Sequence, residues 1–122
     1  MWGGASVNGT NGLILLPDSW SLPAGASFTA GIGYANNSYT TDQWAVMENA
    51  GAVFLPAAGL DYWFKIEGKG NAGYYWTSTK QGSNGCAYWL MFNSEKISTA
   101  NDETITDGSG SFGVSVRLVI DY

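Results

Sequence analysis

The chain has 122 residues, of which 45% are hydrophobic and 12% charged, and its formal net charge at pH 7 is −5. This balance is typical of a folded domain rather than a disordered chain, and it predicts one domain over residues 1–122. The five basic residues are scattered instead of clustered, which argues against nucleic acid as a partner.

Two residue counts limit the chemistry that the chain can perform. It contains no histidine and one cysteine, which removes nucleophile–histidine pairs, histidine metal sites and internal disulfides. The cysteine, Cys86, leads into a strand and is better interpreted as a small structural residue than as a nucleophile. We therefore expect that the protein is not an enzyme.

The sequence indicates neither a membrane span nor an export signal. No apolar run is long enough to cross a bilayer. The opening stretch MWGGASVNGT has no basic segment followed by an apolar one, so we expect no targeting signal in this chain. Either the protein is cytosolic or its targeting segment lies outside the given sequence.

The first part of the chain predicts one short strand. Residues 1–12 are rich in glycine and asparagine, and we expect them to be irregular. The apolar run at residues 13–16, stopped by Pro17, predicts a buried strand. The stretch that follows, PDSWSLPAG, is predicted to be a loop.

The stretch YTTDQWAVMENAG predicts the one clear helix. Thr40 and Gln43 have the spacing of a capping box, in which each residue hydrogen-bonds the other's backbone. Tyr39 before the cap and Trp44 after the first turn are placed for a hydrophobic staple. Gly51 is a natural C-terminal stop.

The remainder of the chain has the pattern of a β-sheet protein. The stretch AVFLPAAG predicts a buried strand that Pro56 ends. Beyond it, short gaps rich in Gly, Asn, Asp and Ser separate apolar runs, as in hairpins and meanders. The predicted strands cover residues 74–79, 87–93, 97–99, 104–106 and 113–120.

Two motifs suggest a ligand and have plainer interpretations. GKGNAG, at residues 68–73, matches a dinucleotide-binding pattern, but a strand follows it where that chemistry needs a helix, so a flexible turn is favoured. The oxygens of Asn101, Asp102, Glu103 and Asp107 could hold Ca²⁺, but their spacing is not that of an EF-hand loop. A solvated acidic loop is the favoured interpretation, and no cofactor is otherwise implied.

The stretch AYWLMF is apolar on both faces of its predicted strand. Tyr88, Leu90 and Phe92 alternate onto one face, and Trp89 and Met91 share the other. The strand is either a central one covered on both sides or one that exposes a Trp/Met patch to a partner. Periodicity alone leaves both interpretations open.

Several stretches, taken in order, resemble a family of Bacteroidetes surface and prophage proteins: GLILLPDSW, TTDQWAVMENAGAVFLPAAG, GYYWTST, AYWLMFNS and GVSVRLV. The resemblance covers about residues 12–119. It implies an α+β, C-type-lectin-like fold related to the formylglycine-generating type, with short antiparallel strands and one helix over about residues 41–50. The N-terminal half that usually precedes GLILLPDSW is not in this sequence. We therefore expect either a trimmed C-terminal part of a larger protein or a short form that closes its fold by pairing with a second copy, since unpaired sheet edges favour self-association.

Some members of this family look like targets of diversity-generating retroelements, in which a reverse transcriptase randomises adenines in selected codons. The resemblance implies that the randomised residues lie on an exposed sheet face and its loops, where they bind a ligand. Members often have AYNLNFNS where this chain has AYWLMFNS, which places Trp89 and Met91 at variable asparagine positions. Both side chains are then expected to point outward, so that replacing either by alanine would leave the melting temperature nearly unchanged.

The same resemblance extends the variable surface to three further segments. They contribute Lys80, Gln81, Ser83 and Asn84 from one turn, Glu95, Lys96, Ser98, Thr99, Asn101, Asp102, Glu103 and Thr104 from a second stretch, and Tyr62 and Trp63 from a third.

The implied function is a non-enzymatic binding or display domain of a cell-surface or phage-particle protein. Its partner would be a protein or another surface ligand. The calcium-dependent sugar motifs of animal C-type lectins are missing, so the fold does not imply carbohydrate binding. An enzyme of the formylglycine-generating type would need reactive cysteines, and this chain has one. A structural or adhesin-associated module without a diversified site is the alternative.

Overall fold

The computed structural model describes residues 1–62, 65–81, 86–99, 112–113 and 115–116. These ranges form a strand-rich fold with one α-helix, so the predicted α+β class is confirmed. The elements in chain order are β1 (Trp2–Val7), β2 (Thr10–Leu15), a 3-10 turn (Tyr34–Asn36), β3 (Ser38–Tyr39), α1 (Thr41–Asn49), β4 (Val53–Pro56), β5 (Leu60–Tyr62), β6 (Lys65–Glu67), β7 (Ala72–Gln81), β8 (Cys86–Asn93), β9 (Ile97–Thr99) and β10 (Phe112–Gly113).

The chain opens with a hairpin, so the prediction of an irregular start is wrong. β1 and β2 pair antiparallel along their whole length, from Trp2 opposite Leu15 to Val7 opposite Thr10. The two-residue turn between them is an Asn-Gly pair with φ of 47° and 80°, the left-handed conformation that a tight hairpin turn needs. The glycine-rich β1 has little hydrophobic periodicity. It is a strand because it pairs with β2 and because the Asn-Gly turn favours a hairpin.

The first sheet has the strand order β3-β1-β2-β4. Leu13 of β2 lies opposite Leu55 of β4, and Ile14 opposite Phe54, so each pair points to one face of the sheet. The strands predicted at residues 13–16 and from AVFLP are thereby confirmed. Both faces of this sheet are apolar, and each is covered by a different layer.

The helix covers one face of the first sheet. It begins as predicted: the Gln43 backbone N–H donates to Thr40 Oγ1 over 3.3 Å, and the Thr40 N–H donates to Gln43 Oε1 over 2.8 Å. The rings of Tyr39 and Trp44 lie 6.2 Å apart, which confirms the staple. Gly51, with φ of 98°, follows the helix end. The buried cluster between helix and sheet contains Ala5, Ile14, Leu16, Tyr39, Trp44, Met47 and Ala52.

A buried amide holds the loop before β3 against the first sheet. The Asn37 side-chain nitrogen donates to the carbonyls of Gly4 and Thr29, over 2.8 Å each. Its oxygen accepts the Thr29 backbone N–H over 2.7 Å. Because the buried amide has partners on both atoms, its desolvation is offset, and the loop is fixed to β1.

The second sheet, with order β7-β8-β9, covers the other face of the first. Tyr75 donates its hydroxyl to the Pro56 carbonyl over 2.8 Å, which ties β7 to β4. The two sheets share a buried cluster of Leu13, Leu55, Ala57, Tyr75 and Phe92. The described part of the chain is thus layered as helix, first sheet and second sheet.

A third sheet, β10-β5-β6, adjoins the second. Ser115, just beyond β10, bridges in parallel to Tyr75, with its N–H donating to the Tyr74 carbonyl over 3.0 Å. The strands β5 and β6 were not predicted. The strand predicted at residues 104–106 lies outside the described residues, and of the one at 113–120 only residues 113, 115 and 116 are described.

The glycine-rich motif before β7 is a turn, as predicted. The Asn71 N–H donates to the Gly68 carbonyl over 2.9 Å, and β7 follows directly. A helix, which dinucleotide binding would require at this point, does not follow. In the described ranges, no helix has both the length and the apolar character needed to cross a membrane.

Candidate functional site

The second sheet presents two faces of different character. The register places Trp76 opposite Trp89 and Tyr74 opposite Met91, so these four side chains share one face. Ser98 of β9 lies opposite Met91 and joins them. We call this set of five residues (Tyr74, Trp76, Trp89, Met91 and Ser98) the outer face, because the opposite face packs on the first sheet.

The inner face fixes the two long strands to the core. Phe92 is 1% exposed and stacks on Tyr75 with ring centroids 6.1 Å apart and planes 12° apart. Its ring also lies over Gly73, where an added Cβ would be 2.2 Å from the ring. Leu90 packs against the same cluster. Of the three β8 residues predicted to face inward, Leu90 and Phe92 are confirmed, whereas Tyr88 is half-buried and is not among the described members of this cluster.

Trp89 lies on the predicted face but is not exposed. Only 7% of this residue is accessible, and the Tyr74 ring lies 5.3 Å from it at an angle of 35°. The expectation that Trp89 points freely into solvent is therefore wrong. Alternation along one strand gives the face of a residue, whereas its burial depends on side chains from neighbouring strands.

The exposed aromatic surface belongs instead to β7. Trp76 is 41% exposed, and Tyr74 and Met91 are both half-buried. The Trp76 backbone N–H donates to the Ser115 carbonyl over 3.2 Å, and the next residue, Val116, is 65% exposed. Trp76 and Tyr74 were missed as site residues. The alternation in GYYWTST, aligned with AYWLMF across the turn, would have placed both beside Trp89 and Met91.

The ladder between β7 and β8 is interrupted just beyond the Trp pair. Regular pairing stops at Trp76 and Trp89 and resumes, with a shift, at Lys80 opposite Ala87. Between them the Thr77 hydroxyl donates to the Tyr88 carbonyl over 2.9 Å. Such irregularities bend a strand and change the direction of its side chains.

The turn between β8 and β9 lies at the Tyr74 and Met91 end of the second sheet. Asn93 shapes it by accepting the backbone N–H groups of Glu95 and Lys96 on Oδ1, over 2.8 Å each. Both residues are exposed, as a role in ligand contact would require.

The other predicted site residues are less fully placed. Lys80 and Gln81 lie at the far end of β7, Thr99 is the last residue of β9, and Tyr62 lies in β5. Outside the described residues are Ser83, Asn84, Asn101, Asp102, Glu103, Thr104 and Trp63.

Charged groups of both signs flank the same end of the outer face. Lys65 and Glu67 form an exposed ion pair with a nitrogen–oxygen distance of 3.5 Å. Burial raises the pKa of the Tyr74 phenol, and the negative charge of Glu67 raises this pKa further. Together with Glu95 and Lys96, the Lys65–Glu67 ion pair gives the outer face a border with charges of both signs.

This arrangement offers an apolar, aromatic surface that can bind a partner by contact. Across the described ranges, His, Cys, Asp and Glu side chains form no group of three that could hold a metal. The acidic residues considered for Ca²⁺ lie outside these ranges, so calcium stays a prediction. The chain matches no protein-family model, no curated protein and no solved structure in the three comparisons made.

Proposed function

We propose that the chain is a non-enzymatic binding domain that engages a protein or another surface ligand through the outer face. The exposure of Trp76 on a sheet whose other side is fixed to a core is the observation that carries this proposal. Trp and Tyr supply large contact areas with little loss of side-chain freedom, and they dominate binding energy at protein interfaces.

The surroundings of Trp76 support this function. Half-buried Tyr74 and Met91 extend the apolar surface on one side, and exposed Val116 extends it on the other. Charged side chains border it at the Glu67 end. An apolar centre with a polar border is the usual composition of a protein-binding surface, and exposed apolar patches on single chains commonly mark such surfaces.

The proposal extends to the C-type-lectin-like fold and to diversification by a retroelement, in a cell-surface or phage-particle protein. It rests on the sequence resemblance, together with the exposed or half-exposed positions of Met91, Glu95, Lys96 and Ser98. The flanking DNA tests it. A near-copy of the segment coding for residues 73–119, differing mainly at adenines and lying beside a reverse transcriptase gene, would support diversification, and its absence would reject it.

Selection from a random peptide library tests the binding surface itself. The library is panned on the wild-type protein, and the enriched peptides are measured against Trp76→Ser. We expect their Kd to rise about thirtyfold, since a central Trp contact contributes about 2 kcal/mol or more. Val46→Ser is the matched control, because Val46 is 46% exposed and lies on the helix, in the opposite layer. Peptides that bind Trp76→Ser as tightly as wild type would reject the outer face as the binding surface.

A further inference from the structure

Trp89 differs from a core residue because it lies on the outer face, and it differs from a ligand-contacting residue because it is buried. It lies on the outer face, opposite the side that packs on the first sheet. It is nevertheless 7% exposed, and among the described residues it joins neither of the two buried clusters. Tyr74 is one of the side chains that cover it on the outer face.

Two other aromatic side chains of the outer face are next to Trp89. Tyr74 contacts it directly, with ring centroids 5.3 Å apart, and Trp76 is its cross-strand partner. Side chains in such pairs have Cβ atoms about 5 Å apart, so the conformation of one restricts that of the other. An aromatic ring at position 89 therefore supports Tyr74 by direct contact and restricts Trp76 as its cross-strand neighbour.

The position of Trp89 along the ladder adds a second reason for such a role. Trp76 opposite Trp89 is the last regular pair before the register shifts. Beyond it, the Thr77 hydroxyl bonds to the Tyr88 carbonyl instead of the strands continuing in register. The large indole of Trp89 thus lies beside Trp76 at a point where in-register pairing continues on one side of the pair and shifts on the other.

We infer that Trp89 is a positioning residue, which holds Tyr74 and Trp76 in their binding orientation without touching the ligand itself. The specificity of the outer face is then carried by β7 and not by the central residue of β8. This inference rests on the proposed function, because it assigns roles within that surface.

The test compares four variants with wild type, using the library-selected peptides as the probe. Trp76→Ser and Tyr74→Ser remove the two proposed contacts, and each should raise the Kd tenfold or more, by about the amount of a hot-spot residue. Trp89→Phe keeps an aromatic ring in the buried position, and its Kd should stay within about twofold of wild type. Trp89→Ala should weaken binding and change the near-ultraviolet circular dichroism of the aromatic cluster, and Trp89→Phe should restore the binding.

Three outcomes separate the inference from the proposed function. If Trp89→Phe weakens binding as much as Trp76→Ser while its melting temperature stays at the wild-type value, Trp89 contacts the ligand and the inference is wrong. If Trp89→Ala binds like wild type, Trp89 positions nothing and the inference is again wrong. If Trp76→Ser and Tyr74→Ser both bind normally, the proposed surface fails, and the role of Trp89 fails with it. If Trp89→Ala does not fold, the Kd of Trp89→Phe still tests the inference.

Discussion

At the scale of single residues, the Phe92 ring occupies the space that a side chain at Gly73 would need. A Cβ at Gly73 would lie 2.2 Å from the Phe92 ring. The ring is 1% exposed and stacked on Tyr75, so it has no free space to move into. We therefore predict that Gly73→Ala lowers the free energy of unfolding by about 1–3 kcal/mol, the usual cost of overpacking, measured by urea denaturation.

Two comparisons make this prediction specific. Ser78→Ala, at an exposed position on the same strand, should change the free energy of unfolding by no more than about 0.5 kcal/mol. In a Phe92→Leu background, where the ring is gone, the cost of Gly73→Ala should fall clearly below its cost in wild type. An undiminished cost in that background would show that the destabilisation does not arise from this contact.

The same residues show how far a sequence can predict a binding surface. Alternation placed Leu90 and Phe92 inward and Trp89 and Met91 on the other face, because side-chain parity is a local property of a strand. It could not give the burial of Trp89, since Tyr74 covers that ring from another strand. Nor did it bring Trp76 into the site, because that assignment depends on the pairing register across the turn.

At the scale of secondary-structure elements, α1 depends on an N-terminal cap that was predictable in full. Thr40 and Gln43 exchange two hydrogen bonds between side chain and backbone. Thr40→Ala removes the acceptor for the Gln43 N–H, and we predict a loss of about 1 kcal/mol of stability. For a domain of this size, that loss corresponds to a fall in melting temperature of about 3–6 °C by calorimetry.

Thr40→Ser and Thr41→Ala serve as controls for this prediction. Serine keeps the capping oxygen, and Thr41 is an exposed residue inside the first turn, where alanine is a good helix former. Both variants should keep the wild-type melting temperature or exceed it slightly. An equal fall for Thr40→Ala and Thr40→Ser would point to lost packing of the methyl group instead of a lost cap.

The elements that sequence reasoning missed are those created by pairing. β1 contains two glycines and few large apolar residues, and it becomes a strand because β2 and β3 lie on its two sides. β6 is exposed at all three of its positions and is defined by its pairing with β5. Helix caps and apolar runs are local signals, whereas these strands depend on partners distant in sequence or lacking hydrophobic periodicity.

At the scale of the whole molecule, one contribution to the response to alkaline pH comes from a tyrosine that joins two parts of the fold. Tyr34 packs on the cluster between the sheets and donates its hydroxyl to the Asn71 carbonyl over 2.6 Å. Burial raises its pKa from 10.0 to about 12. The folded protein therefore keeps this proton at a pH where the unfolded chain releases it.

This difference in the pKa of Tyr34 between the folded and unfolded protein determines whether stability rises or falls with pH. The stability that Tyr34 contributes is fully present below pH 10 and is lost as the pH rises to about 12. We predict that the urea midpoint falls over this window and that Tyr34→Phe reduces the slope of the fall. Phenolate absorbance should show one fewer group titrating late in Tyr34→Phe. An identical pH slope in both proteins would contradict the assignment.

The layered order of helix, first sheet and second sheet could not be predicted from the sequence beyond its α+β class. The runs at Leu13 and Val53 predict buried strands, and the structure shows that their alternate side chains enter two different clusters. A run that is apolar on both faces indicates a central strand, but it does not say which element covers each side.

The central place of β2 has a consequence for the exchange of backbone hydrogens with solvent. β2 pairs with β1 on one side and β4 on the other, and its Leu13 and Ile14 side chains fill separate clusters. The amides of these two residues should exchange with deuterium only when the whole domain opens, at the free energy of global unfolding. Amides of the three-residue strand β9 should exchange through smaller openings. Exchange measured by NMR should therefore be faster in β9, at one edge of the second sheet that carries the outer face, than in β2 of the first sheet.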